Sequence, residues 1–270
     1  MNSSTSATMR CDTVRVIADS APRTGHMNMA LDELLLNQSL QGDFAAVRVY
    51  QWVSPTLTLG YFQKELRDDA PEPLQQLDSV RRLSGGGAIL HDRELTYSCS
   101  LPANHPVRRD PSLLYSLVHV PLIELLNSCG AEVCLRSDYL AARELMHASE
   151  KVSAGTEVEP FLCFLRSNGN DIVSSSGIKV VGSAQRRRRG AILQHGSILL
   201  QSSPLAPQLT GLRDLFPDFD TQRLRQELPQ VIADAVACSS ENGDFTGDEL
   251  AAAERSIAEQ DDCSRKKQQL

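Results

Sequence analysis

The stretch "VEPFLCFLRSNGNDIV", residues 158–173, holds a single cysteine, Cys163, between phenylalanines. Such a thiol either fills an apolar core, where free cysteine is commonly found, or acts as a nucleophile. A cysteine near its ordinary pKa of about 8.5 is only a few per cent thiolate at neutral pH, so a nucleophilic one gains from a cation beside it. Lys179, in the strand-like run "GIKVVGSAQ", is a candidate for that cation, or else a solvated strand lysine. A second signal is "RRLSGGGAILHDRELTYS", residues 81–98. Three successive glycines make a flexible turn, or let the backbone approach a ligand and turn N–H groups toward it. Their spacing fits neither a Walker A loop nor a dinucleotide fingerprint. Arg81 and Arg82 are solvated charges or face an anion; His91, taken alone, is a hydrogen-bonded structural histidine. "RRRR", Arg186–Arg189, is a local basic cluster.

Hydrophobic periodicity indicates which elements position these residues. "HMNMALDELLLNQSL", residues 26–40, repeats Met27, Leu31, Leu34 and Leu35 at helical spacing. "AAVRVYQW" alternates, with Val47 and Val49 on one face and Arg48 and Tyr50 on the other, and reads as a strand. "TLTLGYF", "SVRRLSGGGAIL" and "LTYSCSLP" supply further strand-like runs. Asp110 as N-cap and Pro111 at the first position open a helix that Gly130 ends and Pro121 kinks or splits. "AEVCL" reads as a short strand and "DYLAARELMHA" as a helix. "GIKVVGSAQ" and "GAILQHGSILL" form a hairpin around the arginines. After residue 204 the pattern is helical and polar, with a capping box from Thr246 to Glu249 before a last helix. The mixture predicts an α+β fold built on a mixed, largely antiparallel sheet with flanking helices. The expected division is a flexible lead-in over 1–25, a catalytic domain over 26–204, and a helical extension over 205–270 with a disordered tail.

Composition narrows the function. A chain of 270 residues suffices for one large domain, with or without a small appendage. No apolar run approaches the roughly 20 residues that span a bilayer, and the polar start "MNSSTSATMRCDTV" has no signal-peptide stretch, so a cytoplasmic protein with no membrane partner is expected. A formal net charge of −7 argues against general nucleic-acid binding. The seven cysteines form no C-x-x-C pair and no histidine pair has zinc-ligand spacing, so reduced thiols and no metal are expected.

Four segments, in order, resemble the biotin/lipoate protein ligase and lipoyl/octanoyl transferase superfamily. "RRLSGGGAILHDRELTYS" is similar to its signature, and "GIKVVGSAQRRRRGAILQHGSILL" to its lysine strand and following hairpin. "NMALDELLL" and "VYQWVSPTLTLGYFQ" are similar to its opening helix and strands; the resemblance runs over roughly residues 26–200. It implies a biotin/lipoate protein ligase-like catalytic domain with an acyl-binding cleft beside the glycine-rich strand. "PFLCF" ahead of the lysine strand resembles the cysteine-dependent octanoyltransferase branch. That resemblance implies transfer of an octanoyl or lipoyl group from acyl carrier protein, through a Cys163 thioester, to a lysine of lipoyl-domain proteins in lipoate biosynthesis. The acceptors implied are the E2 subunits of 2-oxoacid dehydrogenases or the glycine cleavage H protein. Cys163 and Lys179 are then catalytic, and Arg82, Ser84, Gly85, Gly86, Gly87, His91, Ser183, His195 and Gly196 bind substrate. His91 or His195 is a candidate to take the proton of the attacking amine. Exchange between thioesters is close to isoergic, so no cofactor is expected. ATP and magnesium enter only under the alternative of an ATP-dependent lipoate–protein ligase; a further alternative is a non-catalytic lipoate or carrier-protein binding protein. The arginines are either a solvated turn or a basic tip that steers acidic carrier proteins.

Overall fold

The computed structural model describes residues 10–63, 70–146 and 160–268. Its strands are β1 (Cys11–Ala18), β2 (Ala46–Tyr50), β3 (Thr56–Leu59), β4 (Asp78–Arg81), β5 (Ile89–His91), β6 (Glu94–Leu101), β7 (Val133–Leu135), β8 (Ile172–Ser174), β9 (Lys179–Arg188), β10 (Ala191–Leu199) and β11 (Ala237–Asn242). The longer helices are α1 (Gly25–Leu40), α2 (Leu113–Ser128), α3 (Arg136–Met146), α4 (Thr221–Val236) and α5 (Gly247–Gln268). Eight strands form one sheet in the order β11-β1-β2-β6-β10-β9-β8-β7, and three form a second in the order β4-β3-β5. In the large sheet β1 is parallel to β2 and β11, and the other pairs are antiparallel. This is the mixed, largely antiparallel α+β sheet that the sequence pattern predicts.

The large sheet is covered on both faces. Val14, Val16, Val47, Val49 and Tyr97 pack with Leu114, Val118 and Leu122 of α2 and with Leu224, Leu228 and Ile232 of α4. On the other face α1 lies against Ile17 and Ala46 through Leu35, and against Ala191 and Leu193 through Leu36. Ala253 of α5 covers Ala30 and Leu31 of α1. Thr24 caps α1, its side chain accepting from the Met27 N–H. Covered on several sides, α1 also buries Asn28, Asp32 and Ser39. The small sheet has its own core of Leu57, Leu59, Leu74, Leu90, Phe161, Leu162 and Phe164. Among the described residues no helix is long and apolar enough to cross a membrane.

Several expectations are corrected. Residues 11–18 of the expected lead-in are strand β1, inserted between β11 and β2; residues 1–9 lie outside those described. The expected helical extension supplies β11, a polar strand that pairs with β1. The tail expected to be disordered continues α5 to Gln268. β2 forms with Val47 and Val49 in the main core and Arg48 and Tyr50 on the opposite face, and both faces are covered, so that Arg48 is wholly buried. Ser112, not Asp110, precedes α2, and the Asp110 carboxylate accepts from the Ser112 N–H at 3.1 Å. Pro121 sits inside α2 without splitting it. The hairpin forms as expected, but its turn is Arg189–Gly190, both at positive φ, so Arg186–Arg188 belong to β9. Of the expected helix at 138–148, residues 147 and 148 lie outside those described.

Candidate active site

A cavity of about 390 Å³ opens between the small sheet and the strands β9 and β10. Cys163 and Lys179 both line it, with Arg82, Gly85, Gly86, His91, Ser183, His195 and Gly196. The phenylalanines around the cysteine account for its placement. Phe161, Leu162 and Phe164 are buried in the core of the small sheet, whereas Cys163 is only partly buried and faces the cavity. It opens a single 3₁₀ turn, Cys163–Leu165. Two backbone bonds fasten that segment to the strand after the glycines: Ala88 N–H donates to Phe161 O at 3.0 Å, and Cys163 N–H to Ala88 O at 2.7 Å. Of the other described cysteines, Cys238 is exposed, and burial pushes the Cys99, Cys129 and Cys134 thiols up and that of Cys11 to about 11.

The glycine run is held tightly by Arg82, whose side chain is wholly buried. All five of its N–H groups have acceptors: Ser84 Oγ at 3.3 Å, Thr58 O and Oγ1 at 3.0 and 3.4 Å, and the Gly85 and Gly87 carbonyls, each at 2.7 Å. In a trans peptide the N–H points opposite to the C=O, so the Gly85 carbonyl held by Arg82 turns the Gly86 N–H away from the guanidinium. Gly86 has φ +96°, and a side chain there would lie 3.1 Å from Arg82 Nη2 and 3.7 Å from Cys163 Sγ. The thiol and the guanidinium thus flank one glycine. Burial pulls the Arg82 pKa down to about 10; a Cys163 thiolate opposes that fall and the Arg166 cation adds to it. Arg166 fills the space beside Gly87, where a Cβ would meet its Nε at 2.6 Å.

Lys179 starts β9, and its side chain crosses Gly182, where a Cβ would lie 2.7 Å from Lys179 Cε. Its Nζ is 3.4 Å from the Cys163 carbonyl oxygen and 3.4 Å from that of Arg166, which flank the short turn. The ammonium thereby holds the turn that carries the thiol. It is not the lone cation expected from sequence: Asp171 Oδ1 lies 3.0 Å away, and this carboxylate is itself buried. The pair's opposed charges weaken the field of Lys179 at the sulfur, so Arg82 is a second source of positive potential there.

Two histidines expected in the site are present but engaged. His91 stacks on Trp52 with centroids 3.9 Å apart, and its nitrogens meet Thr58 Oγ1 at 2.9 Å and Glu94 Oε1 at 3.3 Å. Burial lowers its pKa, against the pull of Glu94. His195 Nε2 bonds the Ser84 hydroxyl, and Nδ1 lies 3.8 Å from Asp32 Oδ2. Burial raises the Asp32 pKa, but His195 and Arg48 together outweigh it and hold the carboxyl below its usual value. The base of Gly196 packs on Tyr97, whose ring a Cβ would meet at 2.4 Å. Asp171, Asp32, Arg166 and His119 are not singled out by sequence: Arg166 and Asp171 lie in the cysteine's own stretch and Asp32 in the opening helix, but no spacing there marks them.

A family model described as the lipoyl protein ligase A/B catalytic domain matches residues 24–241. Octanoyltransferase LipM of Halalkalibacterium halodurans is 35% identical over 214 residues, 78% of this chain and 72% of that protein. Octanoyltransferase LipM of Kyrpidia tusciae is 30% identical over 257 residues, 86% of this chain and 90% of that protein. Among solved structures, a bipartite lipoate protein ligase from Thermoplasma acidophilum has a TM-score of 0.64 at 17% identity, covering 92% of each chain. At that identity the likeness speaks for the fold alone.

Proposed function

The chain belongs to the lipoyl protein ligase A/B catalytic domain family, and from this premise we propose that Cys163 is the residue that carries its acyl group. The protein is an octanoyltransferase of lipoate biosynthesis, in line with its LipM relatives. Its partners are lipoyl-carrier proteins; the donor in our reading is octanoyl acyl carrier protein and the acceptor a lysine of a lipoyl domain or of a glycine cleavage H protein. The observation that supports Cys163 is its place: a partly buried sulfur facing the cavity, against Gly86 and beside Arg82.

In this mechanism the Cys163 thiolate, favoured by the Arg82 and Lys179 cations, attacks the donor thioester carbon. The carrier's thiolate leaves with the electron pair of its C–S bond, and the octanoyl group rests on Cys163. In this reading N–H groups of the Gly85–Gly87 loop receive the negative oxygen formed at the carbonyl. The cavity takes the chain among Met29, Ile89 and Phe164. At roughly 0.8 kcal/mol per CH₂, burial of an eight-carbon chain contributes about 5 kcal/mol at most. The acceptor lysine then attacks the acyl-enzyme. Both steps begin from a thioester, so neither needs ATP or a metal.

The test is intact-protein mass spectrometry after incubation with octanoyl acyl carrier protein, without ATP. A hydroxylamine-sensitive octanoyl adduct that Cys163→Ala abolishes is expected. Acceptor modification that strictly requires ATP would instead mark a ligase, and overturn this reading.

A further inference from the structure

Ser183 lines the cavity from β9, partly buried. Its neighbour Gly182 lies against Lys179 and Phe164, which also surround Cys163. Behind it, His119 of α2 is wholly buried. His119 Nδ1 is 2.7 Å from the Asn170 carbonyl oxygen, which only accepts, so Nδ1 carries the ring proton. Nε2 is then bare, and the hydroxyls of Ser183 and Tyr97 meet it at 2.8 and 3.1 Å. Burial, the Asn170 carbonyl opposing it and the Lys179 ammonium adding to it, pushes the His119 pKa down to about 4 and keeps the ring neutral at physiological pH. A bare ring nitrogen accepts, and the shorter contact belongs to Ser183. The Tyr97 hydroxyl is bonded to Ser183 as well, so the Ser183 proton is spent inward, on His119 Nε2 or on Tyr97, and its oxygen keeps a lone pair for the cavity.

Of the acceptors in the cavity wall, the Asp171 carboxylate is already paired with Lys179 Nζ at 3.0 Å and takes the Asn168 N–H at 2.7 Å, so a neutral acceptor such as Ser183 has a clear use there. We propose that Ser183, oriented by His119, receives an N–H of the incoming lysine amine and aims the nitrogen lone pair at the thioester on Cys163. The proposal rests on the reading of Cys163 as the acyl carrier. In the step it serves, the amine nitrogen bonds to the thioester carbon, the C–S bond breaks, and the sulfur leaves with the electron pair. Of the two protons that an ammonium sheds on becoming an amide, one ends on the Cys163 thiol and the other passes to water. Ser183 touches the reacting nitrogen; His119, which acts through Ser183, is a positioning residue.

The two half-reactions separate this role from a structural one. With the full chain, octanoyl acyl carrier protein as donor and a lipoyl domain as acceptor, acyl-enzyme formation and amide formation are timed independently by mass. Ser183→Ala should lower the ratio of lysine transfer to Cys163 acylation by about tenfold to a hundredfold, the range for loss of a hydrogen bond to a charged group. Ser183→Thr should restore most of that ratio, and His119→Gln should lower it as Ser183→Ala does. If His119→Gln does not fold, the Ala and Thr variants still decide. An unchanged ratio in Ser183→Ala overturns the proposal. A wild-type enzyme that forms no adduct on Cys163 overturns the carrier reading itself, and the proposal with it.

Discussion

Replacing Lys179 by methionine separates what the lysine does for the fold from what it does for the thiol. Lys179 Nζ and Asp171 Oδ1 lie 3.0 Å apart, with side chains only 8% and 5% exposed. Removing one partner of a buried pair costs about 3–5 kcal/mol, because the remaining charge stays desolvated. Asp171 would keep the Asn168 N–H, at 2.7 Å from Oδ2. In a chain of this size about 1 kcal/mol moves the melting midpoint by about 2–4 °C, so Lys179→Met should melt at least about 6 °C lower near pH 8. The deficit should depend on pH with a definite sign. Burial raises the Asp171 pKa and Lys179 works against that rise, so without the lysine the carboxyl goes higher still. A carboxyl raised in the fold holds its proton better folded than unfolded, so its contribution is present at low pH and lost as pH climbs through the folded value. Relative to wild type, the deficit of Lys179→Met should therefore shrink as pH falls from about 8 toward the raised Asp171 pKa. The double variant Lys179→Met/Asp171→Asn buries no charge at the pair and should recover most of the midpoint, yet still acylate Cys163 slowly. Differential scanning fluorimetry and adduct formation read the two effects. A double variant whose deficit equals the sum of the single ones would refute the pairing, and one that acylates Cys163 at the wild-type rate would refute the part given to Lys179 in the chemistry.

Two further outcomes are expected. Gly86→Ala forces a side chain into φ +96° and places it 3.1 Å from Arg82 Nη2 and 3.7 Å from Cys163 Sγ; the left-handed backbone alone costs about 1–2 kcal/mol. Its acylation rate should fall steeply while that of Gly42→Ala, where a Cβ meets nothing within 4 Å, stays at the wild-type level; parity of the two variants would count against the loop's role. Arg186 stacks on Tyr61 at 4.3 Å, and Arg187 is exposed on the same strand end. Charge reversal at both should lower kcat/KM for acyl carrier protein several-fold at low salt and hardly at all at high salt; a loss that ignores salt would rule out steering.

The residues legible from sequence were those carried in contiguous strings. The glycine triplet, Cys163 and Lys179 each announce themselves by local pattern, and the structure brings Gly85, Gly86, Cys163 and Lys179 to one cavity. Their partners do not. Asp32 sits on a helix whose apolar spacing reveals nothing about a polar stripe, and the alternation of β2 puts Arg48 opposite Val47 and Val49 without disclosing Asp19 and Asp32, which meet it at 2.6 and 3.2 Å. His119 falls within the apolar run of α2, where a histidine reads as one more core position; only Asn170 and Ser183, from distant segments, give it a direction. Strand β11 was equally hidden, because "ACSSEN" has no apolar alternation and forms a strand only beside β1.

The glycine run shows why a local reading of flexibility fails. Three glycines in sequence permit many backbone states, and the entropy lost in fixing them is larger than for other residues. That cost is met here by contacts that no short window contains. Arg82 binds the carbonyls on both sides of Gly86, and at Gly60 the backbone passes so close that a Cβ would lie 2.0 Å from the Gly86 oxygen. The Cys163 segment is in turn bonded to Ala88. Gly86 is therefore needed for its positive φ and Gly87 for the close approach of Arg166, and the loop they form is a rigid wall against which the thiol is set. In the proposed mechanism rigidity at this point bears on rate, since donors fixed before the charge appears need no reorganisation when it does.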